Sequence, residues 1–195
     1  MKFTTAAVAA SMALTASALP SASTSAPSST PSAGAPETFG VVSIHSGEAV
    51  QYAPFSAARG SILAGLPKQN ATCEGTDSGS ATFYIQDGAL YLYTPAGTTQ
   101  EFSVDRSGMG QGNIGYYESE ESMPRNGERT GWAIDENNHL QFDGSDLIAC
   151  PGSIDGAYSI WANAGVANPA YNQNCTSIAA RVEKDANPVQ CVYSS

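Results

Sequence analysis

The sequence predicts an all-β protein: one compact antiparallel β-sandwich or barrel-like domain of many short strands, stabilised by two disulfides. Three observations predict it. Short runs of β-branched and aromatic residues recur from Thr38 to the C-terminus, separated by Gly, Asp, Asn, Ser and Pro. No stretch holds a helical period over three turns, and the best, Ser56-Ala-Ala-Arg-Gly-Ser-Ile-Leu, is broken by Gly60. Four cysteines, an even number, follow an N-terminal export signal.

The export signal is read first. Lys2 begins it, and an uncharged run rich in Ala, Val, Met and Leu follows over residues 4–15, too short to span a bilayer stably. Ala16-Ser17-Ala18 offers small residues for cleavage after Ala18, so residues 1–18 read as a signal peptide. Residues 19–37, LPSASTSAPSSTPSAGAPE, are almost wholly Ser, Thr, Pro and Ala. Such a stretch buries too little apolar surface to offset its chain entropy. It reads as a disordered linker, either an O-glycosylated stalk or a spacer trimmed during secretion. The globular domain then spans 38–195. The C-terminus lacks the hydrophobic tail of a lipid-anchor signal, so no membrane anchor is expected.

Within the domain, strands are expected at 39–45, 49–52, 61–64, 82–86, 89–94, 100–105, 114–117, 131–134, 139–142, 147–150, 157–162, 176–182 and 189–193. Asp87-Gly88 marks a tight hairpin with a primed turn, Leu90 and Leu92 on one face and Tyr91 and Tyr93 on the other. Asp135-Glu-Asn-Asn138 marks a second hairpin, and Asp143-Gly144 and Asp155-Gly156 mark further turns.

Charge excludes some functions. Eighteen acidic against eight basic side chains give −10, and loss of Lys2 with the leader takes the mature chain near −11. Nucleic acid and anionic lipid both call for a basic face, so neither is an expected partner. The cysteines Cys73, Cys150, Cys175 and Cys191 contain no C-x-x-C, which leaves two disulfides and three pairings. Cys73–Cys150 with Cys175–Cys191 is the favoured pairing, because the second bridge closes a short loop and ties the last strands together. The sequons Asn70-Ala-Thr72 and Asn174-Cys-Thr176 make Asn70 and Asn174 the candidate N-glycosylation sites.

Catalytic patterns fail on context. Gly75-Thr-Asp-Ser-Gly79 looks like a serine-protease nucleophile segment, but His45 lies only 33 residues before Ser78, too close for that two-barrel body. Gly110-Gln-Gly-Asn-Ile-Gly115 matches G-x-G-x-x-G without the helix a dinucleotide site needs. His45 and His139 have no ligand-spaced partner, so no metal is expected. Glu118-Ser-Glu-Glu121 reads as a solvated loop partly neutralised by Arg125 and Arg129. No catalytic residue and no cofactor is assigned. Of the aromatics Tyr116, Tyr117, Trp132, Trp161 and Tyr171, the candidates for stacking on a glycan are Tyr116, Tyr117 and Trp161. The competing reading places the tryptophans in the core and the tyrosines along interior edges.

An ordered series remains: Phe39-Gly-Val-Val-Ser-Ile-His-Ser-Gly47, Gly108-Met-Gly-Gln-Gly112, Gly131-Trp-Ala-Ile-Asp135, His139-Leu-Gln-Phe142, Leu147-Ile-Ala-Cys-Pro151 and Tyr158-Ser-Ile-Trp161. Over roughly 38–193 it resembles the PhiA-type fungal cell-wall proteins, associated with development of the phialide and conidium. The resemblance implies a secreted, non-catalytic cell-wall glycoprotein with a structural role in asexual spore formation, and allergenic relatives. Expected partners are wall polysaccharide or other wall proteins. Two alternatives stand beside it: a carbohydrate-binding module for wall glucan or chitin, and a wall-glycan hydrolase with one desolvated carboxyl.

Overall fold

The computed structural model describes residues 36–195, so the expected leader and nearly all of the expected linker lie outside the described residues. Fourteen strands follow in order: β1 Thr38–Ile44, β2 Phe55–Ala58, β3 Ser61–Ala64, β4 Thr72–Cys73, β5 Phe83–Gln86, β6 Ala89–Leu92, β7 Glu101–Asp105, β8 Asn113–Tyr117, β9 Trp132–Ile134, β10 His139–Phe142, β11 Leu147–Cys150, β12 Tyr158–Ala162, β13 Thr176–Lys184 and β14 Cys191–Val192. The helical content of the described residues is three single turns of 3₁₀ helix.

The main sheet runs β1-β5-β6-β7-β8-β3-β12-β11-β13 and then returns, because β1 pairs with β13 as well as with β5. The circuit is therefore a closed antiparallel barrel, and closure removes the open edges along which sheets aggregate. β10 and β9 extend from β13, and β2 lies against β3. Alternation decides the lining. Phe39 and Val41 of β1, Phe83 of β5, Leu90 and Leu92 of β6, Phe102 and Val104 of β7, and Ile114 and Tyr116 of β8 are all buried in one cluster. Phe102 sits at its centre, with ring centroids at 5.9 Å from Phe83, 5.5 Å from Tyr116 and 6.5 Å from Trp132.

The Asp87-Gly88 turn closes β5 on β6 with both residues left-handed, as its dipeptide predicts. Two local readings are corrected. Residues 49–52 form consecutive turns rather than a strand, with Gln51 N–H donating to the Glu48 carbonyl and Ala53 N–H to that of Val50. Val50 is buried there as a single anchor, which a β-branched pattern cannot distinguish from a strand. Residues 55–58, which overlap the start of the most helix-like stretch, are β2. All four are buried, so the strand shows no polar alternation to reveal it.

The favoured disulfide pairing is also corrected: the bridges are Cys73–Cys191 and Cys150–Cys175. Strand register dictates both. Cys73 and Cys191 are direct cross-strand partners in β4–β14. Ala149 of β11 faces Thr176 of β13, which puts the next pair, Cys150 and Cys175, opposite one another. Loop length along the chain says nothing of this.

The C-terminal segment is held by buried polar groups. The Gln100 side chain accepts from Tyr193 N–H at 3.0 Å and donates to the Tyr193 carbonyl at 2.8 Å, acting as a substitute strand neighbour. The Tyr193 hydroxyl accepts from Thr82 N–H, and the Tyr116 hydroxyl donates to the Ser194 carbonyl. Burial pushes the Tyr193 phenol from its ordinary 10.0 up to about 12, and pushes Tyr116 well above its ordinary range. In the unfolded chain both lose their protons near pH 10, so above that pH the folded state binds more protons than the unfolded one. The expected result is stability insensitive to these groups below pH 10 and falling as pH rises through 12. Urea midpoints across pH 8–12 measure it, and Tyr193→Phe flattens the fall.

Candidate functional site: a tyrosine row around a buried glutamate and its arginine

Direct cross-strand partners project to the same face of a sheet. Tyr84 pairs with Tyr91, Tyr91 with Glu101, and Glu101 with Tyr117. The four side chains therefore form one row across β5, β6, β7 and β8, on the face opposite the buried Phe102 and Tyr116. The three rings are half-buried. Tyr84 and Tyr91 stack on one another at 5.1 Å with 14° between their planes. Tyr117 lies back along its own strand over Gly115, where a Cβ would come within 2.8 Å of the Tyr117 hydroxyl and 3.1 Å of its ring. A hydrogen at position 115 is what lets that ring lie down.

Glu101 is the acidic residue of the row, and only 5% exposed. Arg129 grips it with both arms, Nε to Oε1 and Nη2 to Oε2, each at 2.7 Å. Such a fork matches the carboxylate plane and makes the strong form of ion pair. Arg129 also bonds Glu120 through Nη1. Each carboxylate oxygen of Glu101 thus accepts from one and the same guanidinium. Burial raises the phenols of Tyr84, Tyr91 and Tyr117, so each stays neutral and able both to donate and to accept. A cavity of about 440 Å³ opens beside the row. Arg129→Met leaves the Glu101 carboxylate buried without its partner, and the expected loss is about 3 kcal/mol by urea denaturation. Arg129→Lys recovers part of it, because an ammonium cannot make the two-point contact.

The residues singled out in the sequence fall as follows. Tyr116 is corrected as a glycan contact: it is 2% exposed, packed edge-on to Phe102. Its neighbour Tyr117 faces outward, as alternation along a strand requires. Trp132 is core, and Trp161 is half-buried with its Nε1 donating to Ser159 Oγ at 2.9 Å. Tyr171 is 99% exposed on the turn after Pro169. Asn70 and Asn174 are both exposed, in loops, and both have left-handed backbone. The glycine series 110–115 leads into strand β8 rather than a helix, and Gly112 accommodates the Ala162 carbonyl, which a side chain would strike. His45 Nδ1 contacts the Ser177 carbonyl at 2.6 Å, while Ser78 Oγ bonds Ser80. Of the acidic patch, Glu120 pairs with Arg129 as expected. Tyr84, Tyr91 and Glu101 were not singled out as site residues. Alternation puts Tyr91 outside, but nothing local aligns it with Glu101 and Tyr117. No group of three or more potential metal ligands occurs among the described residues, and none of their helices is long and apolar enough to cross a membrane.

A closed β-barrel bolted by two disulfides, with a tyrosine row on its outer face, has the build of an extracellular all-β protein. Comparison with known proteins narrows this. Residues 39–194 match the model of a family described as PhiA-like secreted protein. The cell wall protein phiA of Emericella nidulans is 65% identical over the whole of both chains. That of Aspergillus fumigatus is 67% identical over 80% of this chain and 84% of its own, and that of Aspergillus niger 59% identical over 94% and 95%. No solved structure matches. The chain belongs to the PhiA-like secreted protein family, and it is a secreted, cell-wall protein.

Proposed function

We propose that the protein is a non-catalytic structural glycoprotein of the fungal cell wall that acts in asexual spore formation, at the phialide and conidium. The observation that carries the non-catalytic reading is the state of three acids, Glu101, Glu128 and Asp135. Glu101 is locked by Arg129. The Arg106 guanidinium holds Glu128 below the usual carboxylate range, and backbone N–H groups of His139 and Asn137 do the same for Asp135. A wall-glycan hydrolase needs the opposite, a carboxyl pushed up so that it can give a proton. The developmental role is what the resemblance to the PhiA-type proteins implies, and the similarity to the phiA proteins over most of the chain supports it. In this reading residues 1–18 are removed on export, 19–37 form the spacer, and Asn70 and Asn174 carry glycans.

Three measurements test it. Deletion of the gene is expected to lower conidial yield and deform phialides, and normal sporulation in the deletion strain would refute the developmental role. Sequential extraction of walls from a strain making tagged protein is expected to recover it in the wall fraction, at a mass that falls on deglycosylation. Release of reducing sugar from wall glucan or chitin by the purified protein would refute the non-catalytic role.

A further inference from the structure

We infer that the outer face of β5–β8, centred on Tyr91, Glu101 and Tyr117, binds an uncharged β-linked polysaccharide chain. The inference rests on the wall role proposed above and names the contact through which the protein holds the wall. The row from Tyr84 to Tyr117 crosses three strand spacings, about 14 Å, the length of a short oligosaccharide. A β-linked pyranose with equatorial substituents presents flat faces of C–H groups. Their partial positive charge matches the negative face of an aromatic ring. Tyr117 supplies such a face because Gly115 lets its ring lie along the strand.

Sugar hydroxyls need donors and acceptors at the edges of that platform. The cavity beside Tyr91 supplies them: Glu101, Arg129, Gln86, Asp87 and Thr130 all line it. The frame is rigid, since a two-point ion pair fixes Glu101 and Arg129 before any ligand arrives. Charge selects the ligand. Arg129 is already shared between Glu101 and Glu120, and Asp87 adds a further negative group, so a polyanion meets no unpaired cation here. The chain's own −10 opposes one at longer range.

The test titrates the purified full-length secreted protein with three probes: a β-1,3-glucan oligosaccharide, an N-acetylglucosamine oligosaccharide and an oligogalacturonate. Saturable binding of an uncharged probe is expected, with none of the oligogalacturonate. Amide shifts in the unaltered protein should centre on residues 84, 91, 101 and 117. Tyr117→Ala is expected to weaken binding about tenfold, and Trp161→Ala to leave it unchanged. Failure of both uncharged probes, equal binding of the polyuronate, or shifts centred elsewhere would overturn the site. So would unchanged affinity in a folded Tyr117→Ala protein. Failure to bind by protein that is still extracted from the wall removes this site and leaves the wall role standing. Absence of the protein from the wall removes the role itself.

Discussion

Replacing Cys73 and Cys191 by serine is expected to lower the folding free energy by about 5 kcal/mol, and replacing Cys150 and Cys175 by about 3.5 kcal/mol. The order comes from the loops. The first bridge joins residues 118 apart, the second residues 25 apart, and a longer loop removes more freedom from the unfolded chain. The structural consequences differ as well. Cys73–Cys191 fastens the two-stranded β4–β14 ribbon, and with it the tail whose Tyr193 and Ser194 bond Gln100 and Tyr116. Its loss frees that tail and uncovers the barrel where Tyr193 is packed. Cys150–Cys175 anchors the long 163–175 loop beside β13. Guanidinium denaturation of the oxidised variants decides the matter. A larger loss for Cys150–Cys175 would mean that the tail is held chiefly by its hydrogen bonds.

The second large effect is expected from Phe102→Ala: a loss of about 4 kcal/mol, the range for a fully buried aromatic whose cavity cannot collapse. The cavity persists because Phe83, Tyr116 and Trp132, which surround the ring, are themselves buried and fixed by strand pairing. Phe102→Leu keeps part of the volume and is expected to cost about 1.5 kcal/mol. Urea midpoints give both values. Neighbouring Glu101 on the same strand acts by charge rather than volume, so adjacent positions of β7 fail for different reasons. If Phe102→Ala cost no more than Phe102→Leu, the barrel interior would be able to repack, against the closed circuit of strands.

The fold and the site were unequally legible. The β5–β6 hairpin could be read directly, because Asp87-Gly88 is a local instruction and the alternation of Leu90 and Leu92 with Tyr91 is visible over a few residues. β2 could not, since complete burial of Phe55–Ala58 erases the alternation that marks a half-buried strand. The aromatic pair Tyr116-Tyr117 marks the limit most clearly. Adjacency in a strand sends the two rings to opposite faces. Both are aromatic, however, and composition does not say which faces the core.

Export, the all-β class, the shape of individual hairpins and membership of a wall-protein family were all present in residue types and short-range spacing. Short-range rules suffice for these because turns, alternation and local composition act between near neighbours. The disulfide partners, the inward turn of Tyr116 and the row from Tyr84 through Glu101 to Tyr117 came only with barrel closure. Each depends on the register between strands far apart in the chain, and a shift of one residue in that register would send every one of those side chains to the other face.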